Sequence, residues 1–261
     1  MKSPNHKQLW GMVHVGPLPG TPRYEKNFES VVEKAVREAK ALEQFGCTGI
    51  LFENMHDVPY LKSHVGPEIT AAMAVIGTEI RNQTKIPLGV QILAGANEAA
   101  LSVAHAVGAD WIRVEGFVFS HIADEGWIEA CAGRLLRYRK ELGASEIKIM
   151  ADIKKKHSSH SITADVNIVE TAKAAEFFGA DAVVLTGAST GEEASVEELK
   201  KLKEGVSLPV LIGSGVTAQN ISEYSVANGF IVGSFLKKGK DWKNELDPDA
   251  IQQITKSIQL L

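Results

Sequence analysis

Near its C-terminal end the sequence twice stops an apolar run with Gly-Ser. Pro209-Val210-Leu211-Ile212 runs into Gly213-Ser214-Gly215, and Gly229-Phe230-Ile231-Val232 runs into Gly233-Ser234. Glycine lets backbone N–H groups approach an anion closely, and a helix start just beyond supplies donors and the positive end of a dipole. Thr186-Gly187 ends a third run, Ala182–Leu185. Thr186, Gly187, Gly213, Ser214, Gly215, Gly233 and Ser234 are therefore candidates to hold a phosphate monoester. The plainer reading leaves the glycines as tight-turn residues.

Other apolar runs end in groups that can move protons. His14 closes Gln8–Val13, Glu53 and Asn54 close Gly49–Phe52, Gln91 lies in Pro87–Leu93, and Glu115 follows Trp111–Val114. Asp152 lies in Ile147–Ile153, just before Lys154-Lys155-Lys156-His157. Residues two apart in a strand face the same side, so Asp152 and Lys154 are expected to point together and to transfer protons or stabilise an enolate. Lys154 could instead form a Schiff base if its pKa were lowered. Lys155 reads as part of a solvated lysine run. His14 is a candidate general acid or base. The catalytic candidates are thus His14, Glu53, Asp152, Lys154 and His157. His157 and His160, with Glu53, Glu115 and Asp152, have the donor types for a divalent metal, but no tight motif such as HExxH is present. The Asp-x-Lys spacing resembles that of the orotidine-monophosphate-decarboxylase type of barrel, where the motif lies on an earlier strand.

These residues gain meaning from the elements that carry them. Short Val- and Ile-rich runs at 8–14, 49–52, 87–93, 111–114, 147–153, 182–185, 209–212 and 229–232 read as strands covered on both faces. Helical segments are expected after them, the first through Phe45 and then at about 68–83, 98–107, 127–142, 165–178, 196–204, 218–227 and 248–259. Glycines 46, 108, 143 and 179 mark the same turn after successive helices. Eight strand–helix units predict an α/β chain folded as a single (β/α)8 TIM barrel over residues 1–261. An open doubly wound sheet is the alternative. In the barrel, function gathers at the C-terminal ends of the strands, with phosphate held after strands 7 and 8. The polar residues above form that ring, and the long loops 55–67 and 117–126 join it.

Composition narrows the function classes. The chain has 261 residues, 44% apolar and 23% charged, with a net charge of −4. That is enough for one large core and gives no basic footprint for nucleic acid. No run approaches the roughly 20 apolar residues of a membrane span, and the polar start lacks a signal-peptide core, so a cytoplasmic location is expected. Cys47 and Cys131 read as reduced thiols. No GxGxxG or Walker A motif occurs, so no nucleotide cofactor is indicated. Trp10, Trp111, Trp127 and Trp242 read as core or helix-packing residues. A homo-oligomer is expected, with the helix at 127–142, through Trp127, Ile128, Leu135, Leu136 and Tyr138, as a candidate subunit interface.

Gly11-Met12-Val13-His14-Val15-Gly16-Pro17-Leu18-Pro19-Gly20 resembles the N-terminal signature of the BtpA/SgcQ family. Gly49–Asn54, Arg113-Val114-Glu115-Gly116-Phe117, Ala151-Asp152-Ile153 with Lys156-His157, Thr186-Gly187, Gly213–Val216 and Val232-Gly233-Ser234 continue the likeness over nearly the whole chain. The resemblance implies two directions. The founding cyanobacterial member is a factor for photosystem I accumulation, peripherally associated with the thylakoid. Another branch is encoded among enterobacterial sugar-transport and sugar-phosphate genes. The first expectation is accordingly an enzyme, an isomerase, aldolase or lyase, acting on a sugar or nucleoside phosphate. The alternative is a non-catalytic assembly or regulatory factor like the photosystem I biogenesis member. That factor would need an exposed apolar or basic patch, and a peripheral membrane contact finds no support in the sequence.

Overall fold

Eight parallel strands close on themselves in the computed structural model, which describes residues 7–155, 157–187 and 192–261. They are β1 (Gln8–His14), β2 (Gly49–Glu53), β3 (Leu88–Gln91), β4 (Trp111–Val114), β5 (Lys148–Ile153), β6 (Ala182–Leu185), β7 (Val210–Ile212) and β8 (Gly229–Val232). Each pairs with the next in sequence, and β1 pairs with both β2 and β8. The chain is thus the expected TIM barrel. Around it lie α1 (Phe28–Gln44), α2 (Pro67–Gln83), α3 (Asn97–Val107), α4 (Ala132–Glu141), α5 (Ile168–Phe177), α6 (Val196–Gly205) and α7 (Pro248–Gln259).

Alternation along the strands builds two cores. Side chains facing the helices, such as Val13, Phe52, Val90, Ile112 and Ile212, form the main one. Those facing the lumen, Trp10, Met12, Leu51, Met150, Val184, Leu211 and Ile231, fill the barrel below its mouth. One step further along β1 to β6 the inward positions become polar, and along β7 and β8 they are Gly213 and Gly233. The turn after the helices recurs as expected, with φ of +96°, +66°, +70° and +87° at Gly46, Gly108, Gly143 and Gly179.

Two expected helices are corrected. Residues 126–128 do not open α4. They pair antiparallel with His121–Ala123, which also pairs with Ser158–Ser159, giving a small three-stranded sheet. Trp127 and Ile128 match the helical period of α4 and so mimic its first turn, but Gly126 at φ +102° turns the chain back first. Between β7 and β8 the expected helix is a single 3-10 turn, Ile221–Tyr224, flanked by polar Asn and Ser residues that favour turns. The candidate subunit interface also changes: Leu135 is fully buried against the chain's own core, and the Tyr138 hydroxyl lies 2.8 Å from that of Ser102. Among its named residues Trp127 stays well exposed. No helix among the described residues is long and apolar enough to cross a membrane.

Candidate active site

The upper inward layer follows from strand register. His14 stands opposite Glu53 across β1 and β2, and Glu53 opposite Gln91 across β2 and β3. All three are buried polar residues. They line a cavity of about 410 Å³ at the C-terminal ends of the strands, together with Arg113, Glu115, Lys155 and His157. The loops after β7 and β8 close its other side with Gly213–Thr217 and Gly233–Phe235.

The His14 ring is held at both nitrogens. Nδ1 lies 3.2 Å from the Trp242 carbonyl, and Nε2 lies 3.5 Å from Glu53 Oε1. A carbonyl only accepts, so Nδ1 carries a proton; an ionised carboxylate also only accepts, so the contact between Nε2 and Glu53 requires a second proton, held by one of the two. Glycine makes room for this: a Cβ on Gly233 would sit 3.0 Å from His14 Nε2. Trp242, read from sequence as a packing residue, instead lines the mouth and packs edge-on against His56 at 4.8 Å. Burial, helped by nearby Lys and Arg charges, pushes His56 down to about 4.

Two ion pairs form the floor and the far wall. Arg113 donates to both carboxylate oxygens of Asp152, at 2.8 and 2.9 Å. Burial works against the guanidinium, but Asp152, helped by Glu53 and Glu115, outweighs it and raises the Arg113 pKa, so the guanidinium stays charged. Lys155 Nζ lies 3.3 Å from Glu115 Oε2 and 3.6 Å from Glu125 Oε2. Burial would discharge Lys155, but Glu115, Glu125 and Asp152 together hold its pKa above the usual value. Burial raises Glu115 in spite of Lys155. Gln91 Nε2 donates to Glu115 Oε1 at 3.3 Å.

The sequence candidates separate on this geometry. His14, Glu53 and His157 line the cavity. Asp152 lies behind its surface and acts on it by fixing Arg113. Lys154 is displaced: it sits just past the end of β5 with φ +48°, which breaks the alternation, and its Nζ turns to the Thr163 carbonyl at 3.4 Å. Lys155, expected to be solvated, takes the inward place. Its high pKa suits proton donation or charge stabilisation rather than the Schiff base expected of Lys154. Arg113 and Lys155 were not among the sequence candidates. Their inward period relative to Met150 and Asp152 was the available signal for Arg113, and no residue type announces the backbone turn at Lys154. Lys156 lies outside the described residues.

Gly213, Ser214, Gly215, Gly233 and Ser234 line the cavity, whereas Thr186 and Gly187 lie outside its lining. The glycines also carry packing duties. A Cβ on Gly213 would meet Val184 Cγ1 at 2.5 Å, and one on Gly215 would meet the Glu192 carbonyl at 2.5 Å. The Ser214 hydroxyl donates to the same Glu192 carbonyl at 2.9 Å, so the β7 loop rests on the end of the β6 loop. The Thr186 hydroxyl is buried without a hydrogen-bond partner among the described residues. Among the described residues no three His, Cys, Asp or Glu side chains gather closely enough to hold a metal ion, and His160 turns Nε2 to the Lys155 carbonyl at 3.0 Å.

The family described as the BtpA family matches residues 5–259. A Caenorhabditis elegans protein labelled mitochondrial is 47% identical over 97% of this chain and 93% of its own length. The photosystem I biogenesis protein BtpA of Synechocystis is 36% identical over 93% and 85%. Among solved structures, (S)-3-O-geranylgeranylglyceryl phosphate synthase of Thermoplasma acidophilum, in complex with sn-glycerol-1-phosphate, aligns with a TM-score of 0.64 at 16% identity, covering 98% and 95% of the two chains. Thiamine phosphate pyrophosphorylase of Pyrococcus furiosus aligns at 0.59 and 20% identity over 98% of both. At such identities the likeness shows the shared barrel.

Proposed function

This chain belongs to the BtpA family, and from that premise we propose that it is an enzyme acting on a small phosphorylated metabolite, a sugar or nucleoside phosphate. The observation that carries the reading is that one cavity joins the loops after β7 and β8 to two acid–base groups, His14–Glu53 and Lys155–Glu115. Gly213–Gly215, Gly233 and Ser234 anchor the phosphate, and the structural neighbours named above are enzymes of phosphorylated compounds. His14 removes or returns a proton through Nε2, steadied by Glu53. Lys155 and Arg113 stabilise the negative charge that develops on an enolate oxygen, as an isomerase, aldolase or lyase requires. Thr186 and Gly187 support the phosphate loop from behind. The reading calls for a cytoplasmic enzyme in a homo-oligomer, with no nucleic-acid partner.

A thermal-shift screen against inorganic phosphate, sugar phosphates and nucleotides, with and without divalent metal, tests it. A ligand at a hundredfold excess over its Kd raises the Tm by roughly 5–10 °C. Ser214→Asp and Ser234→Asp are each expected to abolish that rise while remaining folded. Wild-type response in both variants would remove the anchor from these loops. The second reading, an assembly factor, is favoured by the photosystem I biogenesis role for which the Synechocystis relative is named. Silence of the whole screen at millimolar concentration, with a stable partner captured by affinity purification, would favour it.

A further inference from the structure

The cavity has two chemically different ends. In an eight-stranded barrel β3 and β4 lie across from β7 and β8, so Gln91 and Glu115 face the phosphate loops across the mouth. The loop end offers donors. The far end is crowded with acceptors: Glu53, Gln91, Glu115, Asp124 and Glu125, with Lys155 among them.

Among the described residues two of those acceptor groups have an oxygen that no donor meets. Gln91 is 2% exposed and gives its Nε2 to Glu115, which fixes the amide orientation and leaves Oε1 as an acceptor. That oxygen is buried with no hydrogen-bond partner among the described residues. Glu125 Oε2 is likewise buried without one, its distance of 3.6 Å from Lys155 Nζ being too long for a hydrogen bond. A buried acceptor left unmatched is unfavourable, so this end is built for a ligand that brings donors. The donor is also constrained by Lys155. An ammonium placed here would be repelled by the Lys155 ammonium, which these same carboxylates already hold. A hydroxyl can donate to Gln91 Oε1 or Glu125 and accept from Lys155 at once.

We propose that this end reads the vicinal hydroxyls of a neutral polyol, so that the ligand is a sugar phosphate with its phosphate at the β7–β8 loops. The proposal rests on the phosphate reading above and selects within it. Isothermal titration of the wild-type protein with ribose 5-phosphate, glucose 6-phosphate, pentyl phosphate, 5-aminopentyl phosphate and free ribose separates the two. The better sugar phosphate is expected to bind at least about tenfold more tightly than pentyl phosphate. In Gln91→Met that advantage should fall below about threefold, with the pentyl phosphate Kd unchanged as evidence of an intact fold. Equal affinity for pentyl or aminopentyl phosphate, or an equal loss for all ligands in Gln91→Met, would overturn the polyol end and leave the phosphate anchor standing. Free ribose binding as tightly as its phosphate would overturn the anchor and leave the polyol end. Binding of none of the five overturns both.

Discussion

Methionine substitutions at 154 and 155 separate two lysines that the sequence sets side by side. Lys155→Met removes the counter-ion of buried Glu115 and of Glu125, a loss on the order of 3 kcal/mol at pH 8. Lys154→Met removes one long contact to a carbonyl and is expected to stay within about 0.5 kcal/mol. The pH dependence has a definite sign. Burial already raises the Glu115 pKa, and losing Lys155 raises it further. A carboxyl whose folded pKa exceeds its unfolded value stabilises below the unfolded pKa, and that stability is lost as pH rises through the folded one. The Lys155→Met deficit should therefore shrink between pH 8 and pH 5 in urea unfolding. A deficit that is constant across this range, or equal at the two positions, contradicts the assignment. At this scale the sequence made the ring legible, because a period of two carries His14, Glu53, Gln91 and Asp152 inward from the apolar positions below them. The Lys154–Lys155 exchange was illegible, since a positive φ at a lysine leaves no trace in residue type.

A further buried pair ties α1 to the segment after β8. Lys237, just after the β8 loop, gives its Nζ to both oxygens of Glu38 in α1, each at 2.7 Å, and both residues are almost fully buried. Burial pushes Glu38 up and Lys237 down, each against its charged form, so each keeps its charge through the other. Removing one partner strands a charge. Lys237→Met is expected to cost about 3–5 kcal/mol, and adding Glu38→Met should restore part of that loss. Guanidinium unfolding of the two singles and the double checks it, and a double mutant less stable than both singles would contradict it. The strands and most helices could be read from their periods, but their ends less well: the helix expected from about residue 165 starts at Ile168, where Asn167 and Glu170 form a reciprocal capping box. The hairpin before α4 could not, because Trp127 and Ile128 satisfy both a helical and a strand period, and the choice falls to their pairing with Ile122 and His121 across the turn at Gly126.

The molecule as a whole should weaken in mild acid. Burial, with His160 and Lys155 nearby, lowers His121 to about 4, as burial also does for His56. A histidine whose folded pKa is depressed favours the unfolded chain once that chain takes up the proton. Stability is then full above about pH 6.5 and falls until about pH 4. His121 contributes on the order of 2 kcal/mol to that fall, and half-buried His56 less, because solvent screens it. His121→Gln should thus lose less stability than the wild type between pH 7 and pH 4.5, and parallel curves would refute the sign. At this scale the barrel was legible from eight strand runs alone, whereas the roof over its mouth, built from the 121–128 hairpin and the segment around Trp242, was not, because nothing local encodes which loops meet. The Trp242 carbonyl that reaches His14 comes 228 residues later in the chain. β1 likewise has one neighbour made early and one made almost last. At about 5–20 residues per second of synthesis, His14 emerges roughly 10–45 s before the group that fixes its tautomer. A growing chain on the ribosome therefore carries an open strand edge and an unset histidine for most of its manufacture, and the candidate site is assembled only with the closing of the ring.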